Sequence, residues 1–146
     1  MPQQSIRVLH TSDWHLGKTL ADVDRTSDYR AFLNWLIGII EVRSIDVLLV
    51  AGDIFDTTMP SADAQRLYYS FLTEAAKTNL RQIVITAGNH DSQRFLRAPR
   101  ELLSVVRTFV AGSTAEKEVC VIRDKDGAPL LGIAAVPYLS EGDVRV

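Results

Sequence analysis

The chain is short of several things at once. Its 146 residues include one cysteine, three histidines and four lysines, and the formal charge of −2 at pH 7 is close to neutral. A single thiol, Cys120, excludes an intramolecular disulfide framework. The missing basic excess excludes nucleic-acid binding by bulk electrostatics, so contact with phosphate has to be local or mediated by a metal. Residues 1–7 have neither the basic nor the apolar part of a secretion signal. The longest unbroken apolar stretches, such as residues 35–40, fall far short of the ~20 residues that cross a bilayer. A cytoplasmic protein without membrane contact is expected. No Gly-x-x-x-x-Gly-Lys-Ser/Thr loop occurs, which argues against hydrolysis of nucleoside triphosphates by this chain.

What is present is an average globular composition, with 47% hydrophobic and 23% charged residues. A chain of this length buries roughly 68–70% of the surface its unfolded form exposes, enough for one core and not for two. Three short runs rich in Val and Ile, at residues 6–9, 47–51 and 83–86, are continuous rather than alternating, the pattern of strands buried on both faces. Between them, Tyr29, Phe32, Leu33, Leu36, Ile37 and Ile40 fall on a 3.6-residue period, as do Leu67, Tyr68, Phe71, Leu72, Ala75 and Ala76. Pro60-Ser61 offers a cap for the second helix, and Asn79 breaks it. The order strand, helix, strand, helix, strand predicts an α/β fold with parallel strands, right-handed crossovers and a sheet covered on both faces. After residue 92 the pattern becomes a short helix at 100–105, a strand at 107–110 and a hairpin of residues 119–122 and 130–136 around the turn-forming segment 123–129.

Each of the three strands runs directly into a polar cluster. The clusters are Thr11-Ser12-Asp13-Trp14-His15, Gly52-Asp53-Ile54-Phe55-Asp56 and Gly88-Asn89-His90-Asp91. In open α/β sheets the carboxyl ends of the strands line the ligand crevice, so these sequence-distant groups become neighbours. Asp13 and His15, two apart, leave the same face of an extended chain about 6.6 Å from one another and can lean onto a common ion. Asp53 adds a carboxylate able to bridge two ions, and Asn89 a neutral amide oxygen. This O and N donor set suits Mn²⁺, Fe²⁺ or Zn²⁺. Paired ions of that kind clamp an in-line phosphoryl displacement and activate water. His90 is placed to protonate a leaving oxygen or to steady the phosphate in the transition state, and Asp91 to orient it.

Taken singly, these residues have plainer explanations. Asp53 suits a turn, Asn89 a helix cap, and an isolated Asp-x-His a surface pair. Three metal-competent clusters at three consecutive strand ends argue against coincidence. His10, of opposite parity, is expected in the core or supporting a ligand; Trp14 as a wall of the site; Asp56 as a support for a ligand or a turn residue; Cys120 as packing. Arg94, with Arg97 and Arg100, reads either as a phosphate grip or as a solvated helix face, and Lys18 is open to a substrate contact or a surface role.

The three clusters, in this order and spacing, resemble the calcineurin-like metallophosphoesterases, and more narrowly the SbcD-type nuclease subunits; the likeness covers most of residues 5–140. It implies the β-α-β-α-β start of a metallophosphoesterase αββα sandwich and Mn²⁺-dependent hydrolysis of phosphodiesters at DNA ends. It further implies an SbcC-type ATPase as partner. Asp13 and His15 would hold a first ion, Asp53 would bridge, Asn89 would hold the second and His90 would be the catalytic histidine. Other metallophosphoesterases, acting on nucleotides or phosphoproteins, share the chemistry. A non-catalytic module with an acidic Mg²⁺ pocket does not need histidines at two strand ends.

One departure stands out. The family completes its dinuclear site with three histidines downstream of the Asn-His motif, and here no histidine follows His90. The chain therefore reads, over 1–146, as the N-terminal portion of a nuclease domain without its second half and capping region. Two five- or six-coordinate ions need about ten donor contacts, more than these side chains supply. A single or weakly held ion, little activity in isolation, and bare apolar surface inviting a homodimer are the expectations.

Overall fold

A computed structural model describes residues 5–112 and 119–144. A parallel four-stranded sheet runs in the order β1 (Val8–Thr11), β2 (Val47–Ala51), β3 (Gln82–Thr86), β4 (Thr108–Val110). The crossovers carry α1 (Thr26–Val42), α2 (Ala62–Ala75) and the short pair α3 (Gln93–Arg97) and α4 (Arg100–Val105). A hairpin of β5 (Val119–Arg123) and β6 (Pro129–Ala134) forms a separate two-stranded antiparallel sheet, followed by one turn of helix, α5 (Glu141–Val144). The α/β fold expected from the alternating pattern is present, as a layer of helices, a parallel sheet and a hairpin layer.

The pleat decides which side chains go where. Leu48, Val50, Ile83, Ile85 and Val110 point into the larger core, where α1 contributes Leu33, Leu36 and Ile40 and α2 contributes Leu67, Phe71 and Leu72. Val47, Val84 and, partly buried, Leu49 and Phe109 point the other way and meet Cys120 and Ile122 of β5 with Leu131 and Ile133 of β6. Each large aliphatic side chain buried this way contributes roughly 1.5–3 kcal/mol, so the helical side dominates the stability. The second face is covered by a β-hairpin rather than by helices, because the chain after residue 118 alternates with period two: Cys120 and Ile122 are inward, Val119, Val121 and Arg123 outward.

Local chemistry sets the helix starts. The Ser61 hydroxyl accepts from the Ala64 amide at 3.2 Å, the cap expected from Pro60-Ser61. Before α1, Asp24 accepts from the Thr26 amide and hydroxyl, and those two bonds hold its carboxyl below the usual range. Strand β1 departs from expectation. It sits at a sheet edge with Val8 and His10 exposed, so His10 is not a core residue. A continuous apolar run marks a strand covered on both faces only when neighbours flank it, and β1 has β2 alone.

Candidate metal centre

The three polar clusters converge just past the carboxyl ends of β1, β2 and β3, and backbone bonds hold them together. The loop after β1 is zipped to the loop after β2: Asp13 donates to the Gly52 carbonyl, His15 to Asp53 and Leu16 to Ile54, at 2.9–3.0 Å. The loop after β3 joins through side chains. One Asp53 oxygen, Oδ1, accepts from the His90 amide at 3.0 Å. Asp91, buried, accepts from the amides of Ile54, Phe55 and Gly88 at 2.9–3.0 Å. Asp91 thus staples two loops. Its carboxylate is taken up by backbone and not by the His90 ring, which corrects the expectation that it orients that ring directly.

Two glycines make this contact possible. A Cβ on Gly88 would lie 2.1 Å from Asp53 Oδ1 and 2.3 Å from the Asp53 nitrogen. A Cβ on Gly52, which adopts φ +84°, would lie 2.9 Å from Gly88 Cα. Backbone touches backbone here, and no side chain fits between.

Asp13, His15 and Asp53 all have positive φ, at 56°, 49° and 50°. They account for three of the seven non-glycine residues in that region among the described residues. Each such residue costs on the order of 1–3 kcal/mol and persists only where its surroundings enforce it. The extended geometry expected for Asp13 and His15 is therefore absent. Strand β1 ends at Thr11, and two left-handed residues, rather than the strand pleat, aim the pair at one point.

The side chains then form a tight group. His15 Nε2 lies 3.6 Å from Asp53 Oδ2 and 4.0 Å from Asp13 Oδ1. Ligand atoms of His15, Asp53 and His90 all lie within 4.8 Å of one another, and the two imidazoles meet edge to face at 4.9 Å. Donors about 2.1 Å from a common ion stand about 3.0–3.6 Å apart at coordination angles of 90–120°, so the 3.6 Å between His15 Nε2 and Asp53 Oδ2 fits a shared divalent cation, while the 4.0 Å to Asp13 Oδ1 is wider than that range. The two long His15–carboxylate distances are poor for direct hydrogen bonds.

Asp56 fixes both histidines. Its carboxylate is 3.2 Å from His15 Nδ1, and its backbone carbonyl is 2.9 Å from His90 Nδ1. A carboxylate and a carbonyl can only accept, so each Nδ1 carries the proton, and His15 turns the lone pair of Nε2 toward Asp53 and Asp13. A carboxylate behind a metal-facing imidazole orients the ring and raises its basicity. Sequence reasoning found the Asp56 side chain as a support and missed its carbonyl, since main-chain groups leave no trace in residue type.

The remaining candidates fall at different distances from this centre. Asn89 lines the same open cleft of about 320 Å³ as Asp13 and Asp53. Lys18 places its ammonium 3.8 Å from Asp56 Oδ1, beside the centre. Arg94 is exposed on α3 and is not among the residues lining the cleft. Trp14 is no wall of the site; it is buried among Phe32 and Phe71, with its indole N–H on Thr11 Oγ1 at 3.0 Å. The wall is Val136, Pro137 and Tyr138, beyond the end of β6, whose only signal in the sequence is an aromatic residue after a proline at the close of an apolar run.

Against known proteins, residues 6–131 match the calcineurin-like phosphoesterase family. The chain belongs to that family. As a calcineurin-like phosphoesterase it is 38% identical, over 95% of its length and 36% of the other's, to a Rhodobacter capsulatus protein, the SbcD component of the nuclease SbcCD. The SbcD components of the same nuclease from Escherichia coli K12 and Bacillus subtilis are 35% and 37% identical, over 95% and 93% of the chain and 34% of each relative. The chain spans about a third of the length of these relatives. Among the described residues no helix is long and apolar enough to cross a membrane.

Proposed function

We propose that this calcineurin-like phosphoesterase chain is the portion of a DNA phosphodiesterase domain that carries its first metal ligands. It acts at DNA ends in repair or recombination, in the cytoplasm, with an SbcC-type ATPase as partner. The observation that carries this reading is the meeting of Asp13, His15, Asp53 and His90 from three strand ends. The names of its relatives supply the nuclease and the complex.

Asp13 and His15 would hold one ion, with Asp53 shared with a second held by Asn89; the donor set suits Mn²⁺, Fe²⁺ or Zn²⁺, and the likeness to SbcD-type nucleases favours Mn²⁺. When bound, such ions neutralise the phosphoryl oxygens and make water nucleophilic near neutral pH. The chain's own residues do the rest. Asp53, gripped by the His90 amide through one oxygen, keeps the other free for a cation. His90, whose Nδ1–H donates to the Asp56 carbonyl, keeps Nε2 for acid catalysis: protonated from solvent, it would give that proton to the leaving oxygen as the bond from phosphorus to that oxygen breaks. Because no histidine follows His90, the 146 residues alone bind one ion, or two weakly.

Equilibrium dialysis with Mn²⁺ tests the ligand set: weak or single-ion uptake is expected, and tight uptake of two ions by a monomer contradicts it. Substrate choice tests the rest. Cleavage of duplex DNA ends in preference to small phosphate esters by the full-length protein, lowered about 100-fold or more by His90→Asn, is the expected result. Equal hydrolysis by the variant sinks the assignment of His90.

A further inference from the structure

The cleft has two unlike sides. Asp13, Asp53 and Asn89 form one, and Val136, Pro137 and Tyr138 the other. Acidic groups on the first side repel a phosphodiester unless cations intervene, so the ligand must gain affinity elsewhere as well. The second side supplies a large exposed ring. Tyr138 is 59% exposed, whereas Trp14 and Phe55, the aromatic residues of the first two clusters, are 5% and 1% exposed and spent on the core.

The Tyr138 ring is exposed, but its backbone is pinned. Its amide donates to the Ala87 carbonyl at 2.8 Å, directly before Gly88 and Asn89, and the preceding Pro137 is buried. The anchor point of the ring is thereby fixed relative to the loop that carries Asn89 and His90. An aromatic ring and candidate metal ligands thus line one cleft, and a nucleotide likewise joins a stackable base to a phosphate. Base stacking on such a face is tolerant of sequence.

We propose that Tyr138 is the platform on which the base adjoining the reacting phosphodiester stacks. The inference rests on the reading of the chain as a DNA phosphodiesterase and adds how the strand is held. The ring acts through its face and not through its hydroxyl, so phenylalanine substitutes for it and alanine does not.

The test is binding, measured by fluorescence anisotropy with Mn²⁺ present. The probes are a labelled strand of five thymidines and its abasic counterpart with the same phosphates. The native chain should prefer the thymidine strand about tenfold, within the range that one stacked base contributes. Tyr138→Ala should erase that preference while keeping Mn²⁺-dependent binding of the abasic strand, and Tyr138→Phe should retain it. A preference that survives Tyr138→Ala, or one lost equally in Tyr138→Phe, overturns the stacking role and leaves the phosphodiesterase reading standing. Failure of the native chain to bind either strand in a Mn²⁺-dependent way overturns both.

Discussion

The two rims of the parallel sheet each carry an aspartate that ties strands together, and they use it in opposite ways. At the amino ends of the strands, Asp46 accepts from the Arg7 amide and from the Arg81 guanidinium, both at 2.9 Å, while the Arg7 guanidinium reaches the Arg43 carbonyl. Both carboxylate oxygens there have donors and a counter-charge is present. At the carboxyl ends, Asp53 has a donor on one oxygen only, and the other stands 3.6 Å from His15 Nε2. Asp13, His15 and Asp53 also hold left-handed backbone, whereas Asp46 does not. A satisfied rim is built for stability alone. A rim that keeps lone pairs in reserve is built for a ligand.

That contrast can be broken most severely at Gly88. The variant Gly88→Ala forces a methyl group into Asp53, and a stability loss of about 3 kcal/mol or more is expected by denaturant titration, with loss of Mn²⁺ uptake. Asp56→Asn separates the two rims more cleanly: it should lower Mn²⁺ affinity about 10- to 100-fold by calorimetric titration and move the unfolding midpoint little. Asp46→Ala is the mirror image, costing about 1–2 kcal/mol of stability and leaving Mn²⁺ affinity within a factor of two. Asp13→Gly should raise stability by about 1 kcal/mol through relief of the positive φ while weakening Mn²⁺ binding. The smallest effect is expected at Tyr68, fully buried with no hydrogen-bond partner for its hydroxyl among the described residues and with its ionisation pushed far up by burial. Tyr68→Phe should be neutral or stabilise by under ~1 kcal/mol in thermal unfolding.

The contrast also marks how much the sequence reveals. Strands β2 and β3, helices α1 and α2 and the hairpin follow from apolar periodicity, which burial enforces directly. The convergence of Asp13, His15, Asp53 and Asn89 follows from strand order, since parallel strands bring their carboxyl ends together. Residue type does not show how the groups are aimed. Left-handed Asp13 and His15 look like any other aspartate and histidine, the Asp56 carbonyl is common to every residue, and Asp91 beside His90 in sequence turns inward because three amides need an acceptor there. His10 and Trp14 depart from their expected roles for a related reason. Hydrophobic pattern does not tell an edge strand from a central one, nor an indole facing a cleft from one facing a helix.

The contact between Gly52 and Gly88 has a consequence for motion. With two peptide planes in van der Waals touch and the adjoining amides shared between the loops, neither loop opens by itself, and the first loop is laced to the second through Gly52, Asp53 and Ile54. In deuterium exchange the amides of Asp13, His15, Leu16, Ile54 and His90 would then be released together, and only when the whole sheet melts.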